Sequence, residues 1–104
     1  NRKSKGGKIV TKDYELMVIL VPTLSADEAN AMNDSLMALV TENGGEIIKI
    51  DPWGKRMLAY PIKKFREGYY FVDYFRVDSL VIKKLKALFN INENIIRYLF
   101  VAKN

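Results

Sequence analysis

The alternation of apolar and polar residues along the chain predicts four strands and two helices. Runs rich in β-branched and aromatic residues, bounded by Pro, Gly or Asn, are typical of strands. Such runs occupy residues 14–21, 46–62, 69–77 and 95–101. Between the first and second runs, and between the third and fourth, apolar residues recur at spacings of three and four, which predicts helices. The predicted order is β-α-β-β-α-β.

Both predicted helices have recognisable ends. Ser25 and Glu28 have the spacing of a capping box, and Gly44-Gly45 supplies a left-handed stop. Asp78 or Ser79 is expected to cap the second helix. The predicted apolar faces consist of Ala29, Met32, Leu36, Leu39 and Val40 in the first helix and of Val81, Leu85, Leu88 and Phe89 in the second.

Residues 46–62 are expected to form one long edge strand that is kinked by the sequence DPWG. Pro52 has no N–H to donate, which argues against a central position in the sheet. The following residues, KKFREG, connect this strand to the next one in a hairpin. Arg66 and Gly68 are predicted to form the turn.

The element order predicts an α+β fold of the ferredoxin-like class. This fold has a four-stranded antiparallel sheet with two helices on one face. With 104 residues, 49% of them hydrophobic, the chain is long enough for one core. Residues 1–12 are polar, basic and contain two glycines, so they are expected to be a flexible arm preceding a single domain at 13–104.

The third strand, within "REGYYFVDY", has two conceivable registers. One exposes Tyr69 and Phe71, as in RNA-recognition motifs, which stack bases on their sheet. The other buries Phe71, Phe75 and Val77 under the helices and leaves Arg76 free to reach solvent or a partner. We favour the second register because the first would send Arg76 into the core and because "ELMVIL" provides no second stacking aromatic. A single-strand RNA binder that resembles an RNA-recognition motif stays the alternative.

The favoured register has two further consequences. It places Asp73 on the buried face, where a charge is costly. It also gives the opposite face of the sheet more apolar surface than a small monomer usually exposes, so a protein partner or partial cover is expected there. The predicted partner-facing residues are Met17, Ile19, Tyr70, Val72, Tyr74 and Leu99.

The net charge of +5 is unevenly distributed. Residues 1–12 hold five of the 17 basic residues and no acid, so the rest of the chain balances its basic residues against the 12 acidic ones. Residues 53–66 also contain no acid. Two separated basic segments suit a polyanion that contacts the protein at more than one place. On charge alone, an equally good explanation is that the charged residues only increase solubility and that the basic segment at the start is a flexible tail.

Catalysis is poorly supported by the composition. The chain has no Cys and no His, so it has no thiolate nucleophile and lacks the commonest general base and metal ligand. The segment "VPTLSADE" after the first strand is unlike the Gly-rich phosphate loop of acylphosphatases, which share the element order. We expect no enzyme activity, cofactor, small-molecule substrate or membrane span. The acid-free segment also argues against a small-molecule regulatory domain.

Several segments resemble the bacterial-type small-subunit ribosomal protein six family. They are the opening strand "YELMVIL", the bend and strand "DPWGKRMLAYPIKK", the hairpin "REGYYFVDYF" and the last passage "FNINENIIRYLFV". The resemblance extends over residues 13–103. Asp13 departs from it, since a basic residue usually precedes the Tyr in this family.

The resemblance implies a structural protein of the small ribosomal subunit. Such a protein would bind the central domain of 16S-type ribosomal RNA together with the eighteenth small-subunit protein, in the bacterial cytoplasm or in an organellar ribosome. Trp53 would either stack on a base or cover apolar neighbours. Lys63 and Lys64 would either contact the RNA or only carry charge into the solvent. The implied RNA-facing residues are Tyr14, Trp53, Gly54, Lys55, Arg56, Lys63, Lys64, Arg66 and Arg97, to which the arm adds Arg2 and Lys3.

Overall fold

A computed structural model describes residues 10–103 and contains six elements in the predicted order. The strands form one antiparallel sheet in the order β2-β3-β1-β4. Both helices contribute to the core on one face of this sheet. The α+β, ferredoxin-like prediction is therefore confirmed. The elements are β1 (Thr11–Leu20), α1 (Ala26–Glu42), β2 (Glu46–Ile62), β3 (Phe65–Asp78), α2 (Val81–Asn90) and β4 (Ile95–Ala102).

The main core lies between the two helices and the sheet, and it settles the register of β3. Phe71, Phe75 and Val77 are at most 2% exposed and pack into this core. Tyr69 is buried on the same face, whereas Arg76 is exposed on the other. The favoured register is confirmed. Because Tyr69 and Phe71 lie beneath the helices, the sheet has no aromatic platform of the kind that RNA-recognition motifs use.

Both helices begin close to their predicted starts, but their caps differ. In α1 the Glu28 N–H donates to Ser25 Oγ at 3.1 Å and the Ser25 N–H donates to Glu28 Oε1 at 2.8 Å, as predicted. In α2 the N-cap residue is Leu80, which has no side-chain cap. Asp78 instead accepts the Leu80 N–H at 3.1 Å and forms a turn just before the helix.

Strand β1 begins three residues before its predicted start. Thr11 pairs with Asp78 and Lys12 pairs with Val77 across the β1–β3 ladder. Pairing with β3 therefore extends β1 into a polar, basic segment that has no apolar pattern of its own. This places 11–12 in the sheet, while most of the predicted arm lies outside the described residues.

The hairpin between β2 and β3 is longer than predicted, and its turn lies elsewhere. Lys63 and Lys64 form the two-residue loop, with φ of 50° and 73°. The prediction that Arg66 and Gly68 form the turn is wrong. Gly68 lies inside β3 opposite Arg56 and is buried.

Gly68 is required by close packing between β3 and β1. A Cβ atom at this position would lie 2.6 Å from Ile19 Cγ2 and 2.8 Å from the carbonyl oxygen of Leu20. Both distances are shorter than real Cβ contacts, and one neighbour is backbone that has little freedom to move. The glycine therefore lets two strands approach at the base of the hairpin.

Edge strand β2 is kinked where the sequence predicted. The pairing with β3 shifts register at three places: between Ile47 and Lys49, between Pro52 and Gly54, and between Met57 and Ile62. Gly54 has φ of +83°, a backbone conformation that favours glycine. The irregularity between Pro52 and Gly54 leaves Trp53 outside the pairing with β3. The irregularity between Met57 and Ile62 gives β2 extra residues near the hairpin tip.

The residues of the hairpin cover part of the sheet face opposite the helices. Ile19, Val21, Leu58 and Ile96 form a second, smaller buried cluster, with Tyr70 packed against it. The long hairpin thus supplies the partial cover that the apolar pattern predicted. None of the helices within residues 10–103 combines the length and apolarity needed to cross a membrane.

Replacing Gly68 by alanine should destabilise the protein by about 2–3 kcal/mol, because the new methyl group overpacks the β3–β1 contact. Denaturant unfolding measures this loss. Gly54→Ala is the comparison, since its Cβ would have no atom within 4 Å. It should cost only about 1 kcal/mol from its positive φ. A Gly68→Ala chain as stable as the parent would contradict the packing argument.

Candidate nucleic-acid interface

The bend in β2 holds an aromatic and basic cluster. The rings of Trp53 and Tyr70 are nearly parallel, at 13°, with centroids 6.4 Å apart. Trp53 Nε1 donates to Asp51 Oδ2 at 3.1 Å, which fixes the orientation of the indole. Arg56 Nε donates to the Trp53 carbonyl oxygen at 3.2 Å, and its guanidinium carbon lies 5.4 Å from the indole centroid. The bend therefore presents Arg56 and Trp53 as one ordered unit.

Trp53 combines the two roles that the sequence left open. Its ring stacks on Tyr70 and so covers part of that side chain. The residue is nevertheless 45% exposed. It therefore keeps surface that a base or a sugar could contact.

Lys55 leaves β2 in a different direction from Arg56. Lys55 pairs with Tyr69, whose ring belongs to the helix-side core, and its Nζ lies 5.3 Å from the centroid of that ring. Arg56 pairs with Gly68. Consecutive strand residues point to opposite faces, so the two charges are directed to opposite sides of the edge strand.

The hairpin tip carries three exposed basic residues, Lys63, Lys64 and Arg66. Lys63 lines a groove of about 240 Å³ together with Arg97 and Tyr98 of β4. The fold thus brings one lysine of the tip and the arginine of the edge strand β4 to the same groove, although 34 positions separate them in the sequence.

Arg97 is held in place by a tyrosine of the hairpin. Its Nη1 donates to the Tyr60 hydroxyl oxygen at 2.9 Å. Both residues, with Ile19 and Tyr70, line a second groove of about 150 Å³ on the face opposite the helices. Because Tyr70 also stacks on Trp53, the bend and Arg97 are connected through one tyrosine.

The basic side chains of this region have no carboxylate partners among the described residues. Within 10–103, the salt bridges join Arg76 to Asp13 and Glu46, and Lys103 to Glu15. We call the basic residues of the bend, the hairpin and β4 that have no such partner the unpaired basic set. Their uncompensated charge makes this end of the sheet attractive to a polyanion. The set consists of Lys55, Arg56, Lys63, Lys64, Arg66 and Arg97.

Asp13 takes part in a local ion pair. Arg76 donates to its carboxylate through Nε at 2.7 Å and through Nη2 at 3.4 Å. The hydrogen bond from Arg76 holds the pKa of Asp13 below its ordinary value. The negative charge of Asp13, the residue that departs from the family pattern, is therefore balanced by Arg76 of the neighbouring strand β3.

Tyr14 offers little ring surface for a contact with RNA. The residue is 7% exposed, and its ring centroid lies 6.1 Å from that of Phe75 in the main core. Burial raises the pKa of its hydroxyl. The predicted contact at Tyr14 stays a prediction, and Arg2 and Lys3 lie outside the described residues.

The predicted partner-facing residues do share one face of the sheet, but their exposure differs. Ile19 and Val72 are 3% exposed, and Ile19 packs with Leu58 of the hairpin in the second cluster. Met17, Tyr70 and Tyr74 are half-buried, and Leu99 is 51% exposed. The apolar surface still available therefore lies mainly towards β4.

Two residues that position this site were not predicted for that role. Tyr60 is not among the predicted RNA-facing residues, yet its hydroxyl oxygen accepts a hydrogen bond from Arg97. Asp51 was treated as part of the bend, yet it orients Trp53. The spacing of Asp51 and Trp53, two residues apart, could have indicated that they share a strand face. Nothing local connects Tyr60 with Arg97.

These features define a small ferredoxin-like domain with a basic hairpin. Comparison with known proteins places it more narrowly. The family model described as ribosomal protein S6 matches residues 13–102, so the chain belongs to the ribosomal protein S6 family. Members of this family are structural components of the small ribosomal subunit and are not enzymes, which confirms the prediction of a structural, non-enzymatic role.

Individual relatives agree with this assignment. The chain is 38% identical over 93 residues to small ribosomal subunit protein bS6 of Heliobacterium modesticaldum, covering 89% of this chain and 97% of that protein. It is 43% identical over 90 residues to bS6 of Thermoanaerobacter pseudethanolicus, covering 86% and 95%. The crystal structure of 30S ribosomal protein S6 from Thermotoga maritima matches with a TM-score of 0.85 and 32% identity, covering 90% and 89%.

Replacing Lys63-Lys64 by Asn-Gly should stabilise the domain by about 1 kcal/mol, because both positions have positive φ and Asn-Gly is preferred in such turns. For a domain of this size, that corresponds to a rise in Tm of roughly 4–8 °C. The control is Ala-Ala, which removes the same two charges without favouring positive φ. If Asn-Gly melts no higher than Ala-Ala, the turn geometry is not the source of the gain.

Proposed function

We propose that the protein binds the central domain of 16S-type ribosomal RNA together with the eighteenth small-subunit protein. The unpaired basic set is the observation that carries this proposal, since its charges have no carboxylate partner among the described residues. The similarity to bacterial relatives supports ribosomes of the bacterial cytoplasm as the proposed site of action. An organellar ribosome is the other setting that the sequence allows.

The basic side chains differ in how they would contact phosphate. Arg56 and Arg97 can each present a planar fork to two phosphate oxygens. Arg56 is fixed by the Trp53 carbonyl and Arg97 by the Tyr60 hydroxyl, so less side-chain freedom is lost on binding. Lys63 and Lys64 at the tip act as movable point charges. Such contacts would fix the position of the protein on folded RNA without reading a base sequence.

The partner protein is proposed to pack on the face of the sheet opposite the helices, towards β4. Leu99 and Val101 are 51% and 42% exposed there, and half-buried Met17 lies between Val72 and Leu99 in the ladder. Burying such side chains is favourable by about 25 cal/mol per Å² of apolar surface. Ile19 and Val72 lie beneath this surface and would support it without much direct contact.

The decisive experiment measures binding to central-domain RNA in the presence of the partner protein over a range of salt concentrations. Binding should weaken as salt rises, because phosphate contacts release counterions. Arg56→Glu and Lys63→Glu should each weaken binding by roughly tenfold or more through the loss of a charged hydrogen bond. Each should also reduce the salt slope by about 1.

Lys83→Glu in α2 is the matched control, since Lys83 is exposed and lies outside the unpaired basic set. It makes the same change in net charge and should affect affinity much less. If Lys83→Glu and Lys63→Glu reduced RNA affinity equally, the affinity would depend only on the total charge of the protein. Binding that does not depend on salt, even with the partner present, would overturn the proposed function.

The Asn-Gly hairpin separates RNA binding from folding. It should make the domain more stable and yet reduce its affinity for RNA, since two phosphate-binding charges are lost. A destabilised fold would therefore not account for weaker binding. Unchanged affinity would remove the hairpin tip from the proposed interface.

A further inference from the structure

A buried polar pair joins α1 to the centre of the sheet. Asn33 of α1 is 1% exposed and Asp73 of β3 is fully buried. Asn33 Nδ2 donates to Asp73 Oδ1 at 2.9 Å. The other two oxygens, Asn33 Oδ1 and Asp73 Oδ2, are buried without a hydrogen-bond partner. The pair thus makes one hydrogen bond and leaves two acceptors unsatisfied.

A single proton can satisfy both of these oxygens. An ionised carboxylate only accepts hydrogen bonds, whereas a protonated carboxyl also has an O–H to donate. We infer that Asn33 and Asp73 form a proton-binding latch, in which a proton on Asp73 Oδ2 is donated to Asn33 Oδ1. This closes a ring of two hydrogen bonds between α1 and β3. No ribosomal partner is needed for it, so the latch is independent of the proposed RNA binding.

The surroundings of the pair favour the protonated form. On the neighbouring strands Asp73 is flanked by Leu16 of β1 and Ile50 of β2, neither of which carries a charge. Burial is the main cause that raises the pKa of Asp73 to about 6, against the hydrogen bond from Asn33, which lowers it. The nearby carboxylate of Asp34 raises the pKa further.

The charged groups nearest to Asp73 on the neighbouring strands are directed to the other face of the sheet. Lys12 and Lys55, which share its face, lie opposite Val77 and Tyr69, each four positions from Asp73 along β3. In the β1 and β2 ladders, the charged neighbours of Leu16 and Ile50 point to the opposite face of the sheet, because side chains alternate along a strand. Arg97 of β4 lies opposite Ile19 on that face as well. In the helices, the remaining charged side chains are exposed. These groups are Glu15, Lys49 and Asp51 in the strands and Asp27, Glu28, Glu42, Lys83, Lys84 and Lys86 in the helices.

The latch gives stability an unusual dependence on pH. The folded-state pKa lies above the unfolded value of 3.8, so the folded chain binds more protons between these values. The contribution of Asp73 to stability is therefore fully present below pH 3.8 and is lost as pH rises through about 6. The unfolding equilibrium constant should rise by about a hundredfold from this group alone.

Asp73→Asn tests the ring directly. An asparagine amide can accept from Asn33 Nδ2 and donate to Asn33 Oδ1 at every pH, as the protonated acid would. At pH 7 this variant should have an unfolding constant at least about tenfold lower than that of the parent, since the parent has largely lost its proton. Well below pH 3.8, where Asp73 of the parent is protonated in both the folded and the unfolded chain, the two chains should be similar. Glu93→Gln, an exposed change of the same charge, should leave the pH profile unaltered.

A second measurement keeps the test decisive if Asp73→Asn does not fold. The ¹³C chemical shift of the Asp73 carboxyl in the parent protein should titrate with a midpoint near pH 6. A midpoint at or below that of exposed aspartates would overturn the latch. An Asp73→Asn chain that folds but is less stable than the parent at pH 7 would overturn it as well, because the ring would then bring no gain.

Discussion

The alternation of side chains along β3 is the constraint on which both faces of the protein depend. Phe71, Phe75 and Val77 point to the helices, and Tyr70 and Tyr74 point to the other side. A shift of one residue would exchange these two sets and expose the core. Because β3 pairs with both β1 and β2, its register also determines which side chains of its neighbours face the helices. The composition of both faces of the sheet therefore follows from the burial of a few apolar residues.

The different lengths of the strands then create the hairpin. β2 and β3 have 17 and 14 residues, whereas β1 and β4 have 10 and 8. The extra residues of β2 and β3 form the hairpin that extends beyond the shorter strands β1 and β4. Leu58 of this hairpin packs with Ile19 in the second cluster. Close approach at Gly68 joins this extension to the body of the sheet. Because the base of the hairpin is packed, the backbone that carries its charges has a defined position relative to the sheet.

Much of this architecture could be predicted from the sequence, because local patterns carry it. Ser25 and Glu28 define the start of α1, and the apolar positions of β3 define its buried face. The features that could not be predicted depend on contacts between distant segments. The bond from Arg97 to Tyr60 spans 37 positions and that from Asn33 to Asp73 spans 40, and neither leaves a local pattern. For the same reason the sequence around Gly68 is typical of a turn, and only the close contact with β1 explains the glycine.

The hairpin tip is the place where the sequence departs most clearly from what the fold alone would prefer. Two adjacent lysines occupy positions of positive φ, where Asn-Gly would relieve backbone strain and remove the repulsion between like charges. Departures from local preference are expected where function requires a residue that stability does not. A purely structural turn has no need of two positive charges, whereas a contact with phosphate does. The backbone strain at Lys63 and Lys64 therefore supports a functional role for these charges independently of the charge distribution itself.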